Sequence, residues 1–306
     1  MPDIVITEFM DDAAIAALSA RYDVLSDPGL ADRQAEIPAH LGEARALIVR
    51  NRTQVTEALL AAAPRLTCVG RLGVGLDNID VAACEARGVA VFPATGANDA
   101  SVAEYVVTAT LILLRGAWHA SDEVAAGGWP RGRLQGREVA GKTLGLLGFG
   151  AIARETARRA AALGMTVAAH DPHIAAEDPA WAGARRLGFG ALLAEADVLS
   201  LHVPLTEATR GVIGAEALAV MKPDAVLINA ARGGVVDESA LAEALRAGRI
   251  AGAALDVFEA EPLSAEAGAR FQGLNVLLTP HIAGVTVESN VRVSALIAER
   301  VAAHLG

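Results

Sequence analysis

Short apolar runs alternate with alanine-rich amphipathic stretches along the whole chain. The runs at 4–7, 23–25, 47–49, 67–69 and 89–92 have the pattern of buried strands, as do those at 143–147, 166–170, 198–201, 225–228, 252–255 and 276–278. Helical spacing fills most of the gaps between them. Repeated strand–helix–strand order predicts an α/β fold whose parallel sheets are covered on both faces. The first five strands form one series. A long helical stretch over 101–115 follows, then a Gly/Pro/Arg-rich loop over 125–133, and a second series opens at Thr143. The reading is therefore two doubly wound parallel-sheet domains with a boundary near Asn98. The last helical stretch, 288–304, is expected to pack back on the first domain.

Composition narrows the setting. The 306 residues suit two domains. With 53% hydrophobic and 20% charged residues, a large core is available and disorder is excluded. A net charge of -10 would repel nucleic acid and anionic membrane surfaces, so neither is an expected partner. Cys68 and Cys84 form no disulfide framework and no metal-binding pair, and are expected to be buried thiols in a reducing compartment. The N-terminus runs into a strand pattern with acids rather than basic residues, unlike a signal peptide. The apolar stretch 105–114 falls short of the ~18 residues a membrane span needs. A cytoplasmic protein is expected.

The run Leu147-Gly148-Phe149-Gly150-Ala151-Ile152-Ala153 joins a strand pattern to a helical one at 152–162. Gly148 and Gly150, followed by the small Ala153, fit the G-x-G-x-x-G/A fingerprint of dinucleotide binding. Gly148 allows the tight turn, Gly150 lets backbone approach a pyrophosphate, and the helix N-terminus, with Ala151 and Ile152, offers N–H groups and partial positive charge. Asp171 ends the next strand, 21 residues after Gly150. A carboxylate there accepts hydrogen bonds from ribose hydroxyls and repels a 2′-phosphate, so NAD is expected over NADP. The plainer alternative for Asp171 is a turn residue before Pro172.

Three later strands run into polar residues at their carboxyl ends, where ligands bind in open α/β sheets. One leads to Asn229-Ala230-Ala231-Arg232-Gly233-Gly234, one to Asp256-Val257-Phe258-Glu259-Ala260-Glu261-Pro262, and one to Thr279-Pro280-His281-Ile282-Ala283-Gly284. With these blocks, the run from Val69 to Asp80, that from Asn98 to Glu104, and His202-Val203-Pro204, nearly the whole chain resembles the D-isomer-specific 2-hydroxyacid dehydrogenase family, in its phosphoglycerate dehydrogenase-like branch.

The resemblance implies a Rossmann NAD-binding domain (99–284) inserted into a discontinuous, flavodoxin-like substrate domain (1–98 plus 285–306). It implies interconversion of a small 2-hydroxy acid and its 2-oxo acid by hydride transfer, with Arg232, Glu261 and His281 as the catalytic set. The residue types suit this. His exchanges a proton near neutral pH, a neighbouring carboxylate favours imidazolium and orients the ring, and Arg offers a planar fork to a carboxylate. It also implies that Val203, Pro204, Ala230, Ala231, Arg232, Asp256, His281 and Gly284 line the cofactor. His202 belongs to a segment near the adenosine side and is not expected to be catalytic. The other histidines lack metal-ligand spacing, and no metal is expected.

In the first domain the resemblance marks the strand end at Arg50 and Arg52, and Gly73, Val74 and Gly75, as substrate-binding. Arg50 is the candidate for a second anionic group; Arg71 either adds charge or lies on the surface. Phosphoglycerate, sulfolactate, tartrate-like and malate-like dianions are admissible. Relatives imply a homodimer through the cofactor domain, using the helix from Ser101 and the 118–137 segment with Trp129. Closure about crossings near Asn98 and after Gly284 is also implied. From another class, some relatives are NAD-sensing corepressors, in which the fold serves as an interaction scaffold. The intact Arg/Glu/His set favours the enzyme.

Overall fold

A computed structural model describes residues 2–116 and 120–306. The chain opens with β1 (Ile4–Ile6), α1 (Asp12–Ser19), β2 (Val24–Ser26), β3 (Ala46–Val49), α2 (Glu57–Ala61), β4 (Cys68–Arg71), α3 (Val81–Ala86) and β5 (Ala90–Pro93). Then come α4 (Asp99–Arg115), α5 (Ser121–Ala125), β6 (Thr143–Leu147), α6 (Ala151–Ala162), β7 (Thr166–His170), β8 (Arg185–Arg186), α7 (Phe189–Glu195) and β9 (Val198–Leu201). It finishes with α8 (Ala215–Val220), β10 (Val226–Asn229), α9 (Glu238–Arg246), β11 (Gly252–Leu255), α10 (Ala265–Gly268), β12 (Val276–Leu278) and α11 (Val287–Leu305). Two compact units result: Met1–Asn98 with Val285–Gly306, and Asp99–Gly284.

The first unit is a five-stranded parallel sheet in the order β2-β1-β3-β4-β5. Ile4, Val5 and Ile6 of β1, and the whole of β3, are fully buried, as continuous apolar runs covered on both faces must be. Helix α11 belongs to this unit. Thr286 and Ser289 cap its start reciprocally, and Val293, Ile297, Val301 and Leu305 join the core formed by Ile4, Ile6, Ile48 and Cys68. Gly70 makes room for it: a Cβ there would lie 2.6 Å from Ile297 Cγ2. Chain order reverses between β1 and β3, so the crevice for a ligand lies beyond those two strand ends.

The second unit is a seven-stranded parallel sheet in the order β12-β11-β10-β9-β6-β7-β8. Counted from β6, this is the doubly wound Rossmann order with a seventh strand, and its switch point lies between β6 and β9. Its cores sit on the two faces of that sheet.

Two features depart from the pattern reading. Strand β8 is two exposed arginines, with no apolar signal, added through pairing with β7. Strand β4 continues past Val69 through Gly70 and Arg71 because both pair with β5, so tertiary pairing overrides residue type. Trp118 and His119 lie outside the described residues. Among the described residues no helix is long and apolar enough to cross a membrane.

Candidate active site

Gly148, Phe149 and Gly150 bridge β6 and α6 at the second unit's switch point. Gly148 has φ +87°, and a Cβ there would lie 2.4 Å from the His202 carbonyl oxygen, so no other residue fits without a shift. A Cβ on Gly150 would meet nothing within 4 Å, so the space in front of the helix is open. Gly150 is the N-cap and no side chain caps α6. The N–H groups of the first turn, including Ala151 and Ile152, therefore face that space without a protein acceptor among the described residues. Asp171, at the end of β7, accepts from Phe149 N (2.9 Å) and His173 N (2.9 Å). Its carboxylate thus ties the glycine turn to β7 while keeping acceptor capacity. An uncapped helix start, an open glycine turn and a carboxylate at the next strand end fit NAD. Val203 and Pro204 follow β9; Val203 lies against Gly148, with its Cγ1 3.0 Å from where a Cβ would stand. His202 bonds Ser200 Oγ (3.0 Å), and burial pushes its imidazole down to about 4, so it is neutral near pH 7.

The ends of β10, β11 and β12 bring Arg232, Glu261 and His281 into one neighbourhood. His281 Nδ1 and Glu261 Oε2 are 2.7 Å apart. Glu261 Oε1 accepts from Phe258 N (3.0 Å), which fixes the carboxylate from the other side. Burial raises the Glu261 pKa, but hydrogen bonding and charge from His281, the Phe258 N–H and the Arg232 charge outweigh it and hold the carboxyl below its ordinary value. His281 adopts φ +55°, uncommon outside glycine, and its backbone N donates to Asp256 O (2.8 Å). Backbone curvature, rather than rotamer alone, aims this ring.

Asp256 is 1% exposed. It accepts from Thr279 Oγ1 (2.6 Å), Ile282 N (2.8 Å) and Ala283 N (2.8 Å), so it folds the 281–284 segment, ending at Gly284, back over β11. Burial raises its pKa against those three donors. Tyr105 of α4 completes the chain, with its hydroxyl 2.6 Å from Thr279 Oγ1. Ala230, Ala231 and Arg232 form a turn held from within. Asn229 accepts from Ala231 N (3.1 Å) and donates to Arg232 O (3.0 Å).

Sequence reasoning missed the fastening of this turn to the next loop. Glu238 N donates to Glu259 Oε1 (3.1 Å), and Glu259 N donates to Glu238 Oε1 (2.6 Å). Glu238 is 4% exposed. At Gly233 a Cβ would stand 1.7 Å from the Phe258 carbonyl oxygen, so the loops carrying Arg232 and Glu261 touch backbone to backbone. The one legible signal was the glycine pair after Arg232. Among the described residues, no group of three His, Cys, Asp or Glu side chains is placed to hold a metal.

In the first unit, Arg50 lies just beyond β3 and beside Glu8, which follows β1. Arg50 Nη2 donates to Asn290 Oδ1 of α11 (3.1 Å). Burial lowers the Arg50 pKa, and the Glu8 charge opposes that. Arg52 points elsewhere, into an exposed ion pair with Asp32. Arg71 Nη1 donates to Leu72 O (3.1 Å). Gly73, at φ +155°, directs its N–H to Arg71 O (2.8 Å), so that donor is engaged within the loop. Among the described residues, no protein acceptor meets the N–H of Val74 or Gly75.

Comparison with known proteins decides the family. The model for the NAD binding domain of D-isomer specific 2-hydroxyacid dehydrogenases matches residues 107–283. The chain belongs to this family. Over its full length it is 54% identical to the (S)-sulfolactate dehydrogenase of Chromohalobacter salexigens, covering 99% of that protein. It is 41% identical to the D-3-phosphoglycerate dehydrogenase of Mycobacterium leprae over 98% of this chain, but spans only 56% of that protein. The TT0316 protein of Thermus thermophilus superposes with TM-score 0.90 and 32% identity, covering 99% of this chain and 96% of that one. The dehydrogenase is NAD-dependent and acts on 2-hydroxy acids.

Proposed function

We propose that this dehydrogenase interconverts a small dianionic 2-hydroxy acid of the sulfolactate type and its 2-oxo acid, with His281 as proton acceptor and donor. NAD, when bound, accepts or returns the hydride. His281 Nδ1 faces Glu261, which leaves Nε2 for the substrate hydroxyl. In the oxidative direction Nε2 takes the hydroxyl proton as hydride leaves C2. The Glu261 carboxylate, itself held charged, stabilises the imidazolium that forms. Arg232 binds the C1 carboxylate through its planar fork and places positive charge beside the oxygen that becomes the carbonyl. Arg50 holds the second anion, with the Val74 and Gly75 N–H groups as further donors. Gly148, Gly150, Ala151 and Ile152 take the pyrophosphate and Asp171 the ribose, while Val203, Pro204, Ala230, Ala231, Asp256 and Gly284 shape the rest of the cofactor's seat.

The observation that carries the reading is the 2.7 Å His281–Glu261 pair, within reach of the Arg232 charge at the carboxyl ends of neighbouring strands. The likeness to a sulfolactate dehydrogenase supports the substrate class. The test is loss of NADH absorbance with sulfopyruvate, phosphohydroxypyruvate, hydroxypyruvate, oxaloacetate, glyoxylate and pyruvate. Sulfopyruvate is expected to give the highest kcat/KM. A preference for the monoanions would overturn the dianion assignment.

The buried, free Cys68 and Cys84 support a reducing, cytoplasmic setting. A homodimer through the cofactor-binding unit is supported by Trp129, 81% exposed, and the half-exposed Val124 on the same segment. Light scattering on the purified protein should give twice the chain mass.

A further inference from the structure

The crevice-forming end of the first unit contains an arrangement that the family set does not include. Glu8 is only 4% exposed, yet it is a carboxylate. It sits where the turn after β3 aims its N–H groups. It accepts from Arg50 N (2.8 Å), Asn51 N (3.3 Å), Arg52 N (3.1 Å) and Thr53 N (3.0 Å). Asn78, also buried, holds the same turn by its carbonyls, donating to Arg50 O (3.2 Å) and Thr53 O (2.6 Å). A turn gripped by donors and acceptors at once has one conformation, and that conformation fixes where the Arg50 side chain leaves the backbone. At the far end of that side chain, Asn290 accepts from Nη2. It is the one hydrogen-bond partner of the guanidinium among the described residues. Of the five guanidinium N–H donors, the rest stay available to a ligand.

Glu8 also supplies the negative charge that keeps a partly desolvated guanidinium comfortable when no anion is bound. It does so through backbone donors, without covering the guanidinium face. The arm is thus anchored at its root, steadied at its tip, and left with surplus donors.

We propose that Glu8 and Asn290 are positioning residues that hold Arg50 as a preset arm for the second anionic group of the substrate. The inference rests on the reading above that Arg50 binds that group, and adds which residues hold it in place for binding. An arm already ordered loses less side-chain entropy on binding than a free arginine would.

The experiment measures kcat and KM for sulfopyruvate reduction, together with NADH affinity by fluorescence, in Asn290→Ala, Glu8→Gln, Arg50→Ala and the double variant Asn290→Ala/Arg50→Ala. Asn290→Ala is expected to raise KM about tenfold, with the loss falling on KM rather than kcat. In the Arg50→Ala background the same change is expected to add nothing, because its only route to the substrate has gone. Glu8→Gln is expected to give the same KM-weighted loss. If it fails to fold, Asn290→Ala and the double variant still decide the question. A wild-type-like KM in Asn290→Ala, or an equal further loss in the Arg50→Ala background, overturns the arm. If Arg50→Ala itself leaves KM untouched, the substrate reading fails and takes the arm with it. An Arg50→Ala defect with a normal Asn290→Ala enzyme removes the arm alone.

Discussion

The strand-end loops of the two units use carboxylates to opposite ends, one buried and one a third exposed. In the first unit Glu8 gathers four successive backbone N–H groups around a fixed charge, and the neighbouring side chain, Arg50, does not titrate near neutral pH. In the second, Glu261 shares its carboxylate between one backbone N–H and the imidazole of His281, a side-chain type suited to proton exchange. Both loops lie at the carboxyl edge of a parallel sheet, where topology opens a crevice. The difference lies in what the acid holds: a rigid turn suits recognition of charge, and a ring beside an acid suits movement of a proton. Asp256 belongs with Glu8, since it too is buried and organises backbone.

The strongest test of this contrast is His281→Ala. On the role proposed for this ring, its removal should lower kcat by about 10²–10⁴ while NADH affinity, read by fluorescence, changes little. Near-normal turnover would place the proton elsewhere. A smaller and purely structural loss is expected at Gly233→Ala. The new methyl meets the Phe258 carbonyl, and separating the two loops should cost about 1–3 kcal/mol, seen as a lowered unfolding midpoint. An unchanged midpoint would mean that the two loops are less firmly apposed.

Asp171→Ser tests a third carboxylate, one expected to face a ligand directly. The kcat/KM ratio should move toward NADP by roughly tenfold, the loss of about one charged hydrogen bond. No movement would remove Asp171 from the ribose. The smallest effect concerns acid. Glu261 has a folded pKa below its ordinary value, so its unfolded form takes up the proton first as pH drops. Its contribution is full above the ordinary carboxylate pKa and disappears as pH falls through the lower, folded one. The melting-temperature gap between wild type and Glu261→Gln should therefore narrow on the acid limb. A gap of constant width from neutral to acid pH would show that the ion pair is not its source.

Much of the second unit was legible because its chemistry is local. Gly148, Gly150 and Asp171 sit at a spacing that a strand–turn–helix–strand unit enforces, and β6, β7, β9, β11 and β12 follow apolar runs without a residue's error. The clamp between Glu238 and Glu259 was not legible, since each bond joins residues 21 apart and neither acid differs in type from an ordinary surface one. Glu8 is the sharper case. In the sequence it serves only as one more acid near the N-terminus. Its meaning depends on β1 lying beside β3, which brings it to a turn more than forty positions away. Arg50 and Arg52 were both marked as candidates by the family resemblance of their strand end; Arg50 reaches Asn290 of α11, whereas Arg52 turns to Asp32. Resemblance identifies candidates, and only contacts across the fold separate them.

The seat of α11 on the first sheet has a consequence for biosynthesis. Ile297 and Val301 fill space that Gly70 leaves open, yet they are translated only after the whole of Asp99–Gly284. The strands of the first sheet are therefore translated long before the helix that covers them. The contact between β4 and α11 joins residues 227 positions apart (297 − 70), so it cannot form until the intervening unit has been made, and docking this helix is the least local step in building the first unit.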